Sequence, residues 1–328
     1  MPDPPFPPFR ARLRSGPPLV LDAALGTDLL ARGARLPPPL WSAQALLDTP
    51  GLVEAIHREN AAAGADVLTI ASFRLHRRNV ENTSCSLSNR QLIDVSVALA
   101  RRAASGVSSK VEIADALPET REERRRAARP GRGATRPSKK IPGAIAVAGS
   151  LAPLEDCYRP DRVPKQNDLR LEHREMAAAL ARAGVDLVLV ETMNTVREAA
   201  AASRAAAATG LPVVASCVTD GRGHLLSGEC VEDFARALLS LPSPPDALGI
   251  NCVAAGDLAV DLARLAAAAP GVPLAAYGNT FAKPVSPEDY ASLAVKWVDL
   301  GARLVGGCCG TTAAHTAAVA RRLTGSSP

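Results

Sequence analysis

Eight short apolar runs, each leading into a stretch of helical periodicity, constrain this chain more than any other feature of it. The runs are Leu19–Ala23, Asp66–Ser72, Ala144–Ser150, Asp186–Thr192, Val213–Thr219, Ala247–Val253, Leu274–Thr280 and Arg303–Cys309. Runs of this length bounded by glycine or polar residues read as strands buried on both faces. Helical spacing follows in Pro50–Ala63, near Gln91–Ala104, and in Leu169–Ala183, Val196–Thr209, Val231–Leu239 and Asp257–Ala269. Gly64, Gly184 and Gly210 stand where such helices would stop in a left-handed turn, and Gly301 precedes the last run in the same way. Strand and helix repeated eight times in one direction predict an α/β fold, a single-domain (β/α)8 TIM barrel. An open doubly wound sheet would want a glycine-rich phosphate loop after the first strand, and Ala23-Ala24-Leu25-Gly26-Thr27 does not spell one.

The 328 residues exceed the ~250 of a typical barrel by two tails and one insertion. Residues 1–18, rich in proline and arginine, read as an irregular arm; 19–322 as the barrel; 323–328 as a C-terminal tail. Residues 115–142 read as a disordered low-complexity insertion. Within it, residues 119–140 carry nine Lys/Arg against three Glu, a net of +6 where the whole chain has +5. The rest is therefore close to neutral, and no aromatics interleave with the basic run to stack on bases, so a specific nucleic-acid partner is not expected. No apolar stretch is long enough for a membrane span, and seven cysteines without an apolar leader fit neither a disulfide framework nor export. A cytoplasmic protein is expected, its oligomeric state left open.

Cys252 closes Gly249-Ile250-Asn251-Cys252, and 56 residues later Gly306-Gly307-Cys308-Cys309-Gly310 closes the last run. A lone cysteine at a strand end is often only a small buried hydrophobe. A vicinal pair behind two glycines is different, because the glycines let the backbone approach something closely. All three sulfurs fall at carboxyl ends of strands, where barrels place their chemistry. Three thiolates with a fourth position open describe a catalytic zinc site, and hence an enzyme that activates a sulfur. On the same rim lie Asp22, Thr69, Ser150, Glu191, Asn251 and Asn279. An aspartate after a strand can serve as a helix cap. A glutamate at a barrel mouth is better placed to meet a ligand amine.

These segments carry a resemblance. Leu21–Gly33, Leu40-Trp41-Ser42, Gly64-Ala65-Asp66 leading to Thr69–Phe73, Val190-Glu191-Thr192, Gly249–Cys252, Tyr277-Gly278-Asn279 and Gly306–Gly310 make the chain similar to the homocysteine S-methyltransferases, a zinc barrel family. The likeness runs from about Leu19 to Arg322. It looks most like the stand-alone members that use S-methylmethionine or S-adenosylmethionine. The resemblance implies Cys252, Cys308 and Cys309 as zinc ligands, with Asn279 filling the fourth position when substrate is absent. It also implies Asp22 and Glu191 as the acids that hold the homocysteine amino group, with Thr69, Ser150 and Asn251 beside them. Two departures stand out. Asp22-Ala23 replaces the usual Asp-Gly, which tightens the pocket for the substrate carboxylate. Ala71-Ser72-Phe73-Arg74 replaces the commoner ending Thr-Tyr-Gln, which alters the donor contacts there.

The implied reaction is attack of the homocysteine thiolate on the methyl of a sulfonium donor, giving methionine. A sulfonium leaves as a thioether and needs no general acid. Two other readings remain open at this point: methylation of another thiol or selenol such as selenocysteine, and a non-catalytic zinc- or thiol-sensing barrel. The second has no use for an amino-acid clamp.

Overall fold

The computed structural model describes residues 9–106, 145–281 and 283–324. The expected insertion at 115–142 lies outside the described residues, as does all but the first two residues of the tail. Eight parallel strands form one sheet: β1 (Leu19–Val20), β2 (Val67–Thr69), β3 (Ala146–Leu151), β4 (Leu187–Met193), β5 (Val213–Cys217), β6 (Ala247–Ala254), β7 (Leu274–Asn279) and β8 (Ala302–Gly307). Each strand pairs with its sequence neighbour, and β1 pairs with β8. The ring closes through the parallel bridge Leu21–Val67, with Asp66 N donating to Val20 O at 2.7 Å. This is the (β/α)8 barrel expected from the eightfold alternation.

Twelve α-helices surround it among the described residues, in chain order α1 (Phe9–Arg14), α2 (Leu25–Ala31), α3 (Ala45–Asp48), α4 (Pro50–Ala62), α5 (Arg77–Glu81), α6 (Asn89–Ser105), α7 (Gln166–Ala183), α8 (Val196–Ala207), α9 (Val231–Leu239), α10 (Leu258–Ala268), α11 (Pro287–Asp299) and α12 (Ala313–Thr324). Strand residues alternate between the two faces along most of the sheet. Leu187 and Leu189 join Leu19, Ala148, Val214, Ala247 and Leu304 in the barrel interior, while Val188 and Val190 pack outward with the helices. A strand buried on both faces reads as one apolar run, so parity shows only in the fold. The stops are as expected: α7 ends at Gly184, whose φ of 85° a residue with a Cβ would resist.

The irregular N-terminal arm expected from composition needs correction. Phe9–Arg14 is a helix, because Phe9 and Leu13 sit one turn apart and both bury into the interior cluster. Its arginines Arg10 and Arg12 pair with Asp246 and Asp66 at the amino ends of the strands. The helix plugs the bottom of the barrel.

Candidate active site

The carboxyl ends of the strands surround a cavity of about 610 Å³. Its floor is set by strand parity. Glu191 continues the inward series of Leu187 and Leu189, and so its carboxyl points up the barrel axis. Ser150 continues the series of Ala146 and Ala148, and its hydroxyl donates to Glu191 Oε1. The Tyr277 hydroxyl lies 2.6 Å from Ser216 Oγ in the same polar layer. Asp22, just past β1, accepts 2.8 Å hydrogen bonds from both the backbone N and the hydroxyl of Thr69.

Neither acid has a cationic partner among the described residues, although both are buried. Desolvation pushes Asp22 up to about 8; the Thr69 hydrogen bonds oppose the rise and the nearby Glu191 adds to it. Desolvation likewise lifts Glu191 to about 7, against the Ser150 hydrogen bond. Two buried carboxyls facing one cavity without a counter-charge form a site that gains most from an incoming cation.

The three cysteines converge on the same cavity. Their sulfurs lie within 4.8 Å of one another, and Cys252 Sγ is 3.8 Å from Cys309 Sγ. That separation is the edge of a tetrahedron with ~2.3 Å zinc–sulfur bonds. By strand parity Cys252 would point outward beside Ile250. A break in the β6–β7 register and a left-handed φ of 57° at Cys252 turn it to the mouth instead. Thr192 near the end of β4 and Trp41 are the other non-glycine residues with positive φ among the described residues, and both line the cavity. Backbone strain is thus concentrated at the site.

Close approach explains the glycines before the pair. A Cβ on Gly306 would fall 2.5 Å from Leu21 Cβ, and one on Gly307 would fall 2.1 Å from Thr311 Oγ1. Cys308 N then donates to Gly278 O and Thr280 N to Cys309 O, pinning the turn that carries both sulfurs.

The donor set fits a thiophilic cation. Cys252 is held well below the usual thiol range by Cys308, Cys309 and, after them, Tyr158, while the same contacts push Cys308 up and Cys309 up to about 12. Without a cation one thiolate forms at the expense of its neighbours, and a bound divalent metal removes that conflict. Asn279 supplies a second mark. Its Nδ2 donates to Cys252 O at 2.7 Å, leaving buried Oδ1 with no hydrogen-bond partner. An unpartnered amide oxygen on a side chain anchored to the Cys252 backbone fits a fourth ligand.

Not every expected residue reaches the cavity. Thr69, Ser150, Asp22 and Glu191 line it with the three cysteines, but Asn251 and Asn279 do not. Asn251 is fully buried beneath the floor, where its Oδ1 accepts from Thr192 N (2.8 Å) and Ser216 Oγ (2.9 Å) and its Nδ2 donates to Thr192 Oγ1. Contact with substrate is replaced by support of the polar layer under Glu191, because its side chain follows the inward parity one level lower. Tyr158, by contrast, escaped the sequence reading. Its hydroxyl lies 3.2 Å from Cys252 Sγ, on the loop after β3. The available signal was a tyrosine in a loop of a chain with only ten aromatic residues.

Fold and site together define a barrel enzyme with a three-cysteine cluster that could hold a metal ion. The sequence matches the profile of the homocysteine S-methyltransferase family over residues 19–323, and the chain belongs to that family. It is 31% identical to the homocysteine S-methyltransferase of Escherichia coli (strain K12), over 96% of this chain and 98% of that one. It is 27% identical to a selenocysteine Se-methyltransferase of Brassica oleracea var. italica, over 93% and 88% of the two chains. The crystal structure of the homocysteine methyltransferase MmuM from E. coli in a metallated form superposes with a TM-score of 0.75 at 30% identity. That match covers 96% of this chain and all of MmuM. Among the described residues no helix is long and apolar enough to cross a membrane.

Proposed function

We propose that this enzyme moves a methyl group from a sulfonium donor, S-methylmethionine or S-adenosylmethionine, to the thiol of L-homocysteine, giving methionine. The observation that carries the reading is one cavity holding both a three-cysteine cluster and two buried carboxyls without counter-ions. An amino acid with a terminal thiol is complementary to that pair of features. Its ammonium meets Asp22 and Glu191, and its sulfur meets Cys252, Cys308 and Cys309.

Zinc is the proposed metal, since a tetrahedral thiolate set selects it over magnesium or calcium. When bound, it keeps a coordinating thiol deprotonated near neutral pH, where a free thiol with a pKa near ~8.5 is mostly protonated. The chain's own residues do the remainder. Asp22 and Glu191 fix the amino end of the acceptor by charge-assisted hydrogen bonds. Thr69 and Ser150 hold those carboxyls in place, and the Asn251–Ser216–Tyr277 layer fixes the level of Glu191. Asn279 is the proposed fourth ligand before the acceptor arrives. The new bond joins the acceptor sulfur to the methyl carbon. The old carbon–sulfur pair returns to the donor, which departs as a neutral thioether without needing a proton. A reducing compartment such as the cytoplasm keeps the three thiols available.

The test is a methyl-transfer assay on purified zinc-loaded protein, crossing homocysteine, selenocysteine and a simple alkyl thiol with S-methylmethionine, S-adenosylmethionine, betaine and methylfolate. Transfer to homocysteine from a sulfonium alone supports the reading. Transfer to the simple thiol at equal efficiency removes the amino-acid clamp from it. A strong preference for selenocysteine would move the assignment to the selenol acceptor, for which the same clamp would serve.

A further inference from the structure

The acceptor occupies only the inner end of the cavity, and the outer end has a chemistry of its own. At about 610 Å³ the cavity is in the range that holds drug-sized ligands, far more than one four-carbon amino acid fills. The chain has ten aromatic residues, and four of them line this one cavity: Trp41, Phe73, Tyr158 and Tyr277. Tyr277 belongs to the polar floor. The other three stand on loops, with Trp41 38% and Tyr158 53% exposed although nothing in the core requires them outside.

Between these aromatics sit two arginines. Arg74 follows Phe73 directly, and its Nη1 donates to the carbonyl of Glu155 at 2.9 Å. Arg162, on the short turn Pro160–Arg162, is exposed at the same mouth. Neither forms an ion pair among the described residues, whereas Arg77, Arg78 and Arg159 nearby are each paired with a carboxylate. Of the neighbouring acids, Glu155 pairs with Arg78, while Asp156 accepts the backbone N–H of Tyr158 and forms no ion pair among the described residues. The inner end of the cavity thus holds Asp22, Glu191 and the thiols, while the lining beyond them carries two guanidinium groups outside any ion pair, with the Asp156 carboxylate on the same loop as Arg162.

We propose that this outer end is the methyl-donor subsite, and that Arg74 anchors the donor's free carboxylate while the rings of Phe73, Trp41 and Tyr158 flank its sulfonium. This rests on the reading of the enzyme as a sulfonium-to-thiol methyltransferase and adds the residue that selects the donor. A sulfonium is a cation of low hydration and gains from aromatic faces. The carboxylate of the same molecule gains from a guanidinium that is steadied by one carbonyl and has no carboxylate partner among the described residues. Tyr158 marks where the two ends meet, since its hydroxyl touches the Cys252 sulfur. The donor class is thus an amino-acid sulfonium with an unblocked carboxylate. In the transfer itself Arg74 makes and breaks no bond; it is a specificity-determining residue.

The experiment compares S-methylmethionine with its methyl ester in the zinc-loaded wild type, Arg74→Gln and Arg74→Lys, by steady-state kinetics and by calorimetric binding. Wild type is expected to prefer the free acid by about tenfold or more, the scale of one charge-assisted pair. In Arg74→Gln that preference should disappear through a higher KM for S-methylmethionine, with the homocysteine KM and zinc content unchanged; Arg74→Lys should recover part of it. A rise in homocysteine KM instead would make Arg74 an acceptor residue and overturn the proposal, as would an acid-over-ester preference that survives in Arg74→Gln. Calorimetry separates the two readings. Arg74-dependent binding of S-methylmethionine without methyl transfer would uphold the donor subsite and sink the homocysteine reaction. Equal binding of acid and ester by wild type would sink the subsite alone.

Discussion

The two ends of this barrel use aspartate in opposite ways. At the bottom, Asp66, Asp186 and Asp246 each precede a strand and accept a backbone N–H from the strand before it: Val20, Val147 and Val213. Each is also paired with an arginine, Arg12, Arg101 and Arg10 respectively. At the top, Asp22 and Glu191 are more deeply buried and have no arginine or lysine partner among the described residues. All three positive-φ residues that are not glycine among the described residues lie at the top as well. At the bottom each of these three carboxylates meets both a cation and a backbone N–H. The top is left incomplete in charge, in hydrogen bonding at Asn279 and in backbone strain, and a ligand completes it. Groups that stability would neutralise are retained where substrate must bind.

That contrast is open to direct attack. The largest expected effect is at the top. Cys308→Ser should lose both the metal and all measurable turnover, while the unfolding midpoint moves by less than about 4 °C, the shift that 1 kcal/mol gives in a domain of this size class. Metal content by atomic absorption and a thermal scan decide it, and full metal occupancy in an inactive variant would remove Cys308 from the centre.

Next is Glu191→Gln, which keeps the shape and deletes the charge. The homocysteine KM should rise by about tenfold or more, as a charge-assisted hydrogen bond becomes a neutral one. Stability should move the other way. Burial raises the Glu191 carboxyl to about 7 in the fold, from 4.5 without it. Its protonated form is thus the one the fold favours, and stability is lost as pH climbs from 4.5 through 7. In ligand-free, chelator-treated protein, Glu191→Gln should be more resistant to urea than wild type at pH 8, with the gap closing towards pH 4.5. A variant less stable than wild type at pH 8 would mean that Glu191 is a structural residue after all.

Asp186→Ala tests the bottom. It removes the pair with Arg101 and the acceptor of the buried Val147 N–H, and should cost about 1–2 kcal/mol of stability. Both KM values should stay at wild type, as read by denaturant midpoints and kinetics on the folded fraction. The smallest effect is expected from exchanging residues 115–142 for a Gly-Ser linker. Helix α6 ends and β3 begins at the bottom rim, so turnover should hold near wild type, while the removal of a net positive run lowers salt-sensitive adhesion to polyanions. A large fall in turnover with folding intact would bring that segment to the site.

By itself the sequence determined the barrel and the three sulfurs. Apolar runs, helix stops and a vicinal cysteine pair behind two glycines are local signals, each set by the backbone and side-chain chemistry of a few consecutive residues. The acids Asp22 and Glu191 were legible too, because a strand end is itself a local position. Only the tertiary structure decided which polar residues face the cavity. Asn251 and Cys252 are adjacent in the same motif, yet one lies under the floor and the other reaches the mouth. What separates them is a register break and one left-handed residue, which sequence parity does not record. Tyr158 and Arg74 belong to loops whose course is set by what they pack on, so their approach to Cys252 and to the outer cavity arises from contacts between segments far apart in the chain. The N-terminal helix was hidden for the same reason. Six residues with two apolar side chains are too few to hold a helix alone, and Phe9 and Leu13 form one only because the open bottom of a barrel is there to receive them.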